Sequence, residues 1–188
     1  MTAAALGGSR AGSRTVVLAL GSNLGDRLEN LQRGIGLLSG DAGPAGDGLR
    51  ATAVSGVYET DPVGGPPQDD YLNAVLLAAS ALPAIEILRR GQAAEAALGR
   101  VRTERWGPRT LDVDVIACGD ERSTDPGLTL PHPRAHERAF VLVPWLEVAP
   151  DACLPGWGPA AGLLADIGTA GVRRLAGTAL TLPGAEAR

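Results

Sequence analysis

The sequence predicts an α+β sandwich in which two helices cover one face of an antiparallel sheet. Short apolar, β-branched runs predict four strands, and two segments with apolar residues at steps of three and four predict helices. The second and third strands follow each other without an intervening helix, which disfavours a doubly wound parallel sheet.

The first strand and the first helix open the predicted fold. Residues 15–20 form a β-branched, apolar run that ends at Gly21, as expected of a buried strand. From Asp26 onward, leucine and isoleucine recur on one helical face until the glycine-rich stretch 40–48. The sequence therefore predicts strand, turn, helix and loop in this order.

The remaining strands complete the sheet. Residues 51–58 and 71–80 predict two strands, and the segment 61–70 between them is too rich in proline and glycine to be regular. A second helix extends to Gly99, and residues 111–118 supply the fourth strand. The resulting βαββαβ order predicts a ferredoxin-like sandwich with an antiparallel sheet and added C-terminal elements.

One domain accounts for most of the chain, since domains usually contain roughly 100–200 residues. We expect a loosely ordered N-terminal extension over residues 1–14, a folded domain over 15–154, and a short helix with a loose tail over 155–188. Residues 134–148 predict a helix that is interrupted or ends near Pro144.

Composition excludes several classes of protein. The chain of 188 residues is 45% hydrophobic and carries a net charge of -4, which disfavours disorder and counterion-driven binding to nucleic acid. Its cysteines, Cys118 and Cys153, lie too far apart for a CxxC metal half-site. No apolar segment reaches the roughly 18 residues of a membrane span. We expect a monomeric cytoplasmic protein that binds neither nucleic acid nor membrane.

Two aspartates predict a magnesium site. Alternation in the fourth strand places Asp112 and Asp114 on one face, roughly 6.5–7 Å apart by strand rise, and Val113 and Val115 on the other. A hard divalent cation turns the repulsion of two such carboxylates into binding. The alternative is the solvated outer face of an edge strand.

Arginines precede these aspartates in the run from Gly99 to Arg109. Guanidinium groups fit phosphate oxygens, so that arginines beside a magnesium site predict phosphoryl-type transfer from a nucleotide. The alternative is a solvated loop whose arginines pair with surface acids such as Glu104. A second basic cluster, from His132 to Arg138, could reach the same polyphosphate, although a histidine between prolines is more often a structural hydrogen-bonding residue.

Two further features carry weaker signals. The turn Gly21-Ser-Asn-Leu-Gly25 could bind phosphate at a helix N-terminus, but a tight turn with a helix cap explains it equally well. Tyr71, Asn73 and Phe140 suit a flat heterocycle, through ring stacking and an edge-reading amide, or an ordinary core.

Four blocks of sequence together resemble one known family. They are Gly21-Ser-Asn-Leu-Gly25, Tyr71-Leu-Asn73, the run from Gly99 to Asp114 with Arg105-Trp-Gly-Pro-Arg-Thr-Leu-Asp-Val-Asp, and Leu130-Pro-His-Pro133 with Arg138 and Phe140. From about residue 15 to residue 153, the chain resembles the 6-hydroxymethyl-7,8-dihydropterin pyrophosphokinases.

The resemblance implies a reaction and a set of site residues. The pterin hydroxymethyl oxygen would attack the β-phosphorus of ATP, releasing AMP and forming a pterin diphosphate for folate synthesis. The implied ligands of two magnesium ions are Asp112 and Asp114, and the implied catalytic arginines are Arg100 and Arg109. The implied ATP contacts are Gln92, Glu95, Arg102, Thr129, His132 and Arg138. The implied pterin contacts are Thr60, Pro62, Val63, Tyr71, Asn73, Trp106 and Phe140. A catalytically inactive relative that binds ATP or pterin is the alternative.

Overall fold

The computed structural model describes residues 12–39, 48–62, 67–100 and 107–184. The helices are α1 (Arg27–Ser39), α2 (Ala84–Ala97), α3 (Ala139–Val148) and α4 (Ala160–Ile167), with a 3-10 turn at Ala135–Glu137 before α3. The strands are β1 (Arg14–Ser22), β2 (Arg50–Val54), β3 (Tyr58–Thr60), β4 (Tyr71–Ser80), β5 (Asp112–Cys118), β6 (Ser123–Asp125), β7 (Leu128–Leu130), β8 (Cys153–Leu154), β9 (Gly158–Pro159) and β10 (Val172–Arg174).

One antiparallel sheet organises the molecule. Its strand order is β10-β3-β4-β1-β5, and β2 also pairs with β4. Each of these pairings is antiparallel. The hairpins β6-β7 and β8-β9 form separate two-stranded sheets. The prediction of a mixed α and β fold around an antiparallel sheet is confirmed.

The middle of the sheet is buried on both faces because β1 and β4 carry apolar residues at successive positions. In β1, Val16, Leu18 and Leu20 belong to one hydrophobic core, whereas Val17 and Ala19 belong to another. The first core also contains the apolar faces of α1 and α2, as predicted. The second core contains α3. The sequence predicted a helix in this region but not the face of the sheet on which it packs. The sheet thus lies between two helical layers.

The predicted second strand is divided into β2 and β3. The hydroxyl of Ser55 accepts a hydrogen bond from the backbone N–H of Val75 at 2.9 Å, and Ser55 N–H donates to the Val75 carbonyl at 3.0 Å. A side chain thus replaces a backbone acceptor, and the regular ladder stops between the two strands.

The helix predicted over residues 134–148, interrupted or ended near Pro144, is present as α3, which begins at Ala139 and does not end at Pro144. Pro144 lies inside α3, where it lacks the N–H that would continue the hydrogen-bond ladder. Val141, Leu142 and Trp145 are buried in the second core, and this burial offsets the missing bond. The helix therefore continues to Val148.

The C-terminal part is more ordered than the predicted loose tail. β10 pairs with β3 at the sheet edge, with Val172 opposite Thr60. Leu180 is buried in the first core, and the side chain of Gln32 in α1 bonds the backbone of Thr181. Among the described residues, no helix combines the length and the apolar character that a membrane crossing requires.

Candidate active site

The site forms at the end of β1, where three strands meet. Gly21 pairs with Asn73 of β4 on one side and with Asp112 of β5 on the other. A Cβ atom at Gly21 would lie 3.3 Å from Asn73 Oδ1 and 3.6 Å from Tyr71 Cδ1. Glycine therefore leaves room for a ligand between the predicted ring-binding residues and the predicted metal ligands.

A cavity of about 620 Å³ opens at this point, within the range of small-molecule sites. It brings together most of the predicted site residues. Those that line it are Thr60, Pro62, Tyr71, Asn73, Arg109, Asp112, Asp114, His132, Arg138 and Phe140.

Both predicted metal ligands are paired with arginines. Arg100 donates to Asp112 Oδ1 at 2.8 Å, and Arg109 donates to Asp112 Oδ2. Arg138 donates to Asp114 Oδ2 at 2.9 Å. The two carboxylates keep 23% and 34% of their side-chain surface exposed, so they remain accessible from the cavity.

Glu95 supports this cluster from α2. Its carboxylate is buried, accepts a hydrogen bond from Val113 N–H at 2.9 Å and forms an ion pair with Arg100. It therefore connects the helix to the backbone between the two aspartates and holds Arg100 beside Asp112.

The donor set fits magnesium that is shared with phosphate oxygens. In the part of the chain that the structure describes, no three His, Cys, Asp or Glu side chains lie close enough to hold a metal ion. Asp112 and Asp114 supply only hard oxygen donors, and magnesium commonly completes its coordination with substrate phosphates and water. The arginines beside the aspartates would meet these phosphates.

His132 lies next to Asp114, with 3.8 Å between Nε2 and Oδ2. Burial lowers the pKa of His132, and Arg138 and Arg134 lower it further against the opposite effect of Asp114. The imidazole is therefore neutral at pH 7. Arg134 N–H donates to Nδ1 at 3.2 Å, which leaves the proton on Nε2, facing the carboxylate.

Arg109 and Tyr71 also have shifted pKa values. Burial acts to lower the pKa of Arg109, but Asp112 overcomes this and raises it. Burial raises the pKa of Tyr71, and Asp112 adds to the rise while Arg109 and Arg100 oppose it. At neutral pH the guanidinium is charged and the phenol is neutral.

The predicted ring-binding residues Tyr71, Asn73 and Phe140 line the same cavity as the two aspartates. Asn73 is buried and donates through Nδ2 to Thr60 Oγ1 at 2.7 Å. The guanidinium carbon of Arg138 lies 5.5 Å from the ring centre of Phe140. Tyr71 and Phe140 thus present aromatic surface to one space, beside an amide whose orientation is held by a neighbouring hydroxyl.

Several predicted contacts lie elsewhere. Gln92 is exposed on α2, and Thr129 in β7 donates to the Asp125 carbonyl at 3.2 Å; neither lines the cavity. Val63, Arg102 and Trp106 lie outside the described residues.

Asn23 has a structural role that the sequence did not reveal. Its buried side chain accepts from Arg109 N–H at 2.7 Å and donates to Gln68 Oε1 at 2.9 Å and to the Asp69 carbonyl at 3.1 Å. It thereby joins β1 to the segments before β4 and β5. Its place in the Gly21–Gly25 turn was the available signal, but the sequence did not indicate these partners.

The C-terminal segment supplies a second unexpected group. Ile167, Gly168, Ala170, Gly171 and Val172 line the same cavity, although nothing in their sequence indicates a binding site. They reach it because β10 adds to the sheet beside β3.

Comparison with known proteins decides the family. Residues 17–150 match the model of the 7,8-dihydro-6-hydroxymethylpterin-pyrophosphokinase (HPPK) family. The chain belongs to this family. A 2-amino-4-hydroxy-6-hydroxymethyldihydropteridine pyrophosphokinase of Mycobacterium bovis is 48% identical to this HPPK-family chain over 165 residues, which cover 81% of this chain and 83% of that protein. A protein of the same name from Bacillus subtilis is 42% identical over 131 residues, covering 70% and 75%.

Solved structures agree at the level of the fold. Wild-type Plasmodium falciparum HPPK-DHPS, solved with pterin and p-hydroxybenzoate, matches with a TM-score of 0.59 and 12% sequence identity. The match covers 86% of this HPPK-family chain and 42% of that chain. At this identity, the likeness shows the fold alone.

Proposed function

We propose that the protein transfers pyrophosphate from ATP to the hydroxymethyl group of 6-hydroxymethyl-7,8-dihydropterin. The products are the pterin diphosphate and AMP, and the reaction serves folate synthesis. Membership of the HPPK family and the names of the relatives support this activity.

The observation that carries the proposal is the position of the paired aspartates beside a cavity with aromatic walls. Arg100, Arg109 and Arg138 contact Asp112 or Asp114 at one end of the cavity. Tyr71 and Phe140 line the same cavity, and the Arg138 guanidinium lies 5.5 Å from the ring centre of Phe140. A charged phosphate chain and a flat ring would thus lie side by side, as transfer between ATP and a pterin requires.

The aspartates would hold magnesium, which would neutralise negative charge on the triphosphate and make the β-phosphorus more electrophilic. We propose two ions, because two carboxylates on one face of β5 present separate sets of oxygens. Arg100, Arg109 and Arg138 would bind phosphate oxygens. The ion pair with Glu95 of α2 would keep Arg100 in position.

The acceptor ring would lie between Tyr71 and Phe140. Asn73 would read the ring edge, with its Nδ2 shared with Thr60, and Pro62 would close the side of the cavity. The neutral His132 would donate through Nε2 to a phosphate oxygen near Asp114. These residues hold the hydroxyl of the acceptor next to the phosphate chain and away from water.

We also propose that the core of the fold is ferredoxin-like. With β2 and β3 taken as one divided strand, the order β5-β1-β4-(β2, β3) is antiparallel throughout and is crossed by α1 and α2 on one face. This is the arrangement expected of a split βαβ chain.

The nucleotide product tests the function. Purified protein is incubated with magnesium, ATP and 6-hydroxymethyl-7,8-dihydropterin, and the nucleotides are separated by chromatography. The proposal predicts AMP and pterin diphosphate in equal amounts. ADP as the product would contradict it, and binding of both substrates without turnover would identify the inactive relative.

A further inference from the structure

The β3–β4 hairpin carries four of the proposed pterin contacts near the segment 61–70 that joins its two strands. Thr60 is the last residue of β3 and pairs with Tyr71, the first residue of β4. Pro62 and Asn73 lie within two residues of this pair. The places of these side chains therefore depend on what holds the ends of the two strands.

One arginine bonds both ends of this hairpin. Arg173 of β10 donates through Nη1 to Asp61 Oδ1 at 3.0 Å and through Nη2 to Asp70 Oδ2 at 2.9 Å. Asp61 follows β3 directly and Asp70 precedes β4 directly. Glu59 lies 3.9 Å from the same guanidinium, so three carboxylates surround one positive charge.

The backbone places this guanidinium there. Arg173 pairs with Glu59, and Val172 pairs with Thr60, in the antiparallel ladder of β10 and β3. Val172 and Gly171 line the cavity as well. The β10 region thus has two roles. Gly171 and Val172 form part of the cavity wall, and Arg173 connects the end of β3 to the start of β4.

We propose that Arg173 is a positioning residue for the acceptor ring. It acts through Asp61 and Asp70, which precede Pro62 and Tyr71 in the chain and keep these two residues in the cavity wall. This inference rests on the proposed function, and it extends the acceptor site beyond residues 17–150, which match the family model.

Exposure limits what Arg173 does for global stability. Half of its side-chain surface is exposed, and ion pairs of this kind add little to the free energy of unfolding. Their effect should instead be local, on the separation of the strand ends. Loss of Arg173 should therefore change acceptor binding while the melting temperature stays nearly constant.

Kinetics of Arg173→Gln test the inference against Arg174→Gln as a matched control. Arg174 is the next residue of β10, but it pairs with Glu147 of α3 and does not line the cavity. We expect Arg173→Gln to raise KM for the pterin about fivefold, with KM for ATP unchanged. Arg174→Gln should leave both values unchanged, and Arg173→Lys should restore part of the loss.

A double variant separates positioning from a general loss of structure. Asp70→Asn should raise KM for the pterin in the wild-type background but add little to Arg173→Gln, because both changes break the same connection. Equal KM values in Arg173→Gln and the wild type would overturn the inference. So would a parallel rise of KM for both substrates together with a lower melting temperature.

Hydrogen exchange tests the connection without any turnover. In the protein without substrates, amide exchange in residues 60–61 and 70–73 should be faster in Arg173→Gln than in the wild type or in Arg174→Gln. Unchanged exchange would overturn the inference. If Arg173→Gln exchanges faster but the wild type forms no AMP, the proposed function is overturned while the structural connection of Arg173 with Asp61 and Asp70 is supported.

Discussion

At the scale of single residues, the site depends on charges that balance in the absence of substrates. Glu95, Asp112 and Asp114 face Arg100, Arg109 and Arg138 through direct hydrogen bonds or ion pairs. Polyphosphate with magnesium brings both signs of charge, so each protein group can exchange one partner for another without being left unpaired. Such an exchange avoids the cost of a buried, uncompensated charge.

Removal of either carboxylate charge should abolish the reaction. Asp112→Asn or Asp114→Asn keeps the shape of the side chain but removes the carboxylate that faces Arg109 or Arg138, respectively, and weakens magnesium binding. We expect AMP formation to fall at least about a hundredfold, a loss of roughly 3 kcal/mol in transition-state stabilisation. The far-UV circular dichroism spectrum should stay the same.

Asp151→Asn serves as the control for these variants, since Asp151 is exposed and lies outside the cavity. Its rate should equal that of the wild type. Near-normal rates in Asp112→Asn or Asp114→Asn would exclude a metal-binding role for the residue concerned.

Gly21 should be sensitive to one added methyl group. In Gly21→Ala, the new Cβ would lie 3.3 Å from Asn73 Oδ1, closer than comfortable contact, and would narrow the space beside Tyr71. We expect pterin affinity to fall roughly tenfold, equivalent to about 1.4 kcal/mol, in calorimetric titrations with a non-cleavable ATP analogue present.

Gly36→Ala is the matched control for this change. Gly36 lies in α1, where an added Cβ would have no atom within 4 Å, and alanine favours helices. The variant should bind pterin normally and unfold at the same or a higher temperature. Equal pterin affinity of Gly21→Ala and Gly36→Ala would show that the pterin does not bind next to Gly21.

At the scale of elements, α3 is attached to the sheet edge through Glu147. Its carboxylate accepts hydrogen bonds from Gly56 N–H and the Tyr58 hydroxyl, both at 2.9 Å, and from Arg174 at 2.8 Å. Burial acts to raise the pKa of Glu147, but these bonds outweigh it and lower the pKa below 4.5. The ionised form thus stabilises the contact of α3 with β3 and β10.

This contact should make stability depend on pH. Because the pKa of Glu147 is lower in the folded state, its contribution is complete above the unfolded value of 4.5 and disappears as the pH falls through the folded value. Glu147→Gln should therefore lower the free energy of unfolding by about 1 kcal/mol at pH 7. Urea titrations at several pH values measure this difference.

The difference between Glu147→Gln and the wild type should shrink below pH 4.5. A constant difference for Glu147→Gln from pH 7 to pH 3 would mean that the charge of Glu147 contributes nothing to the contact.

The sequence predicted elements whose signal is local and missed those that depend on distant partners. β1, β4 and β5 were predicted because their own apolar runs encode burial. The break at Ser55 depends on Val75 in another strand, and the continuation of α3 past Pro144 depends on packing in the second core. β10 has only three residues, two of them arginine, so no pattern distinguished it from a loop.

The same limit applies to the site. Alternation along β5 placed both aspartates on one face, and the structure shows them lining one cavity. In contrast, Arg173 meets Asp61 across 112 residues of chain. Only the path of the folded backbone brings such groups together, so their sequence spacing carried no information.

At the scale of the whole molecule, the central sheet should make folding cooperative. Alternate residues of β1 belong to the two cores. If one core unfolds, one face of the shared strands becomes exposed, and the other core loses support as well. We expect one unfolding transition, with the same midpoint from far-UV circular dichroism and from tryptophan fluorescence, to which the buried Trp145 contributes.

Core variants on opposite faces test this expectation. Leu76→Ala affects the first core and Leu142→Ala the second, and each should lower the free energy of unfolding by about 2–5 kcal/mol. Leu37→Ala, at a residue 46% exposed, should have little effect. Different midpoints from the two probes in either core variant would show that the cores unfold separately.

The pairing of Gly21 with both Asn73 and Asp112 also sets a length. Since neighbouring strands lie about 4.8 Å apart, the backbones of these two residues are held roughly 10 Å from each other by sheet hydrogen bonds. The distance between Asn73, the proposed ring contact, and Asp112, the proposed metal ligand, is thus set by the sheet. The enzyme should select acceptor alcohols by the length of the arm that carries the hydroxyl, rejecting an arm one carbon longer even when the ring is unchanged.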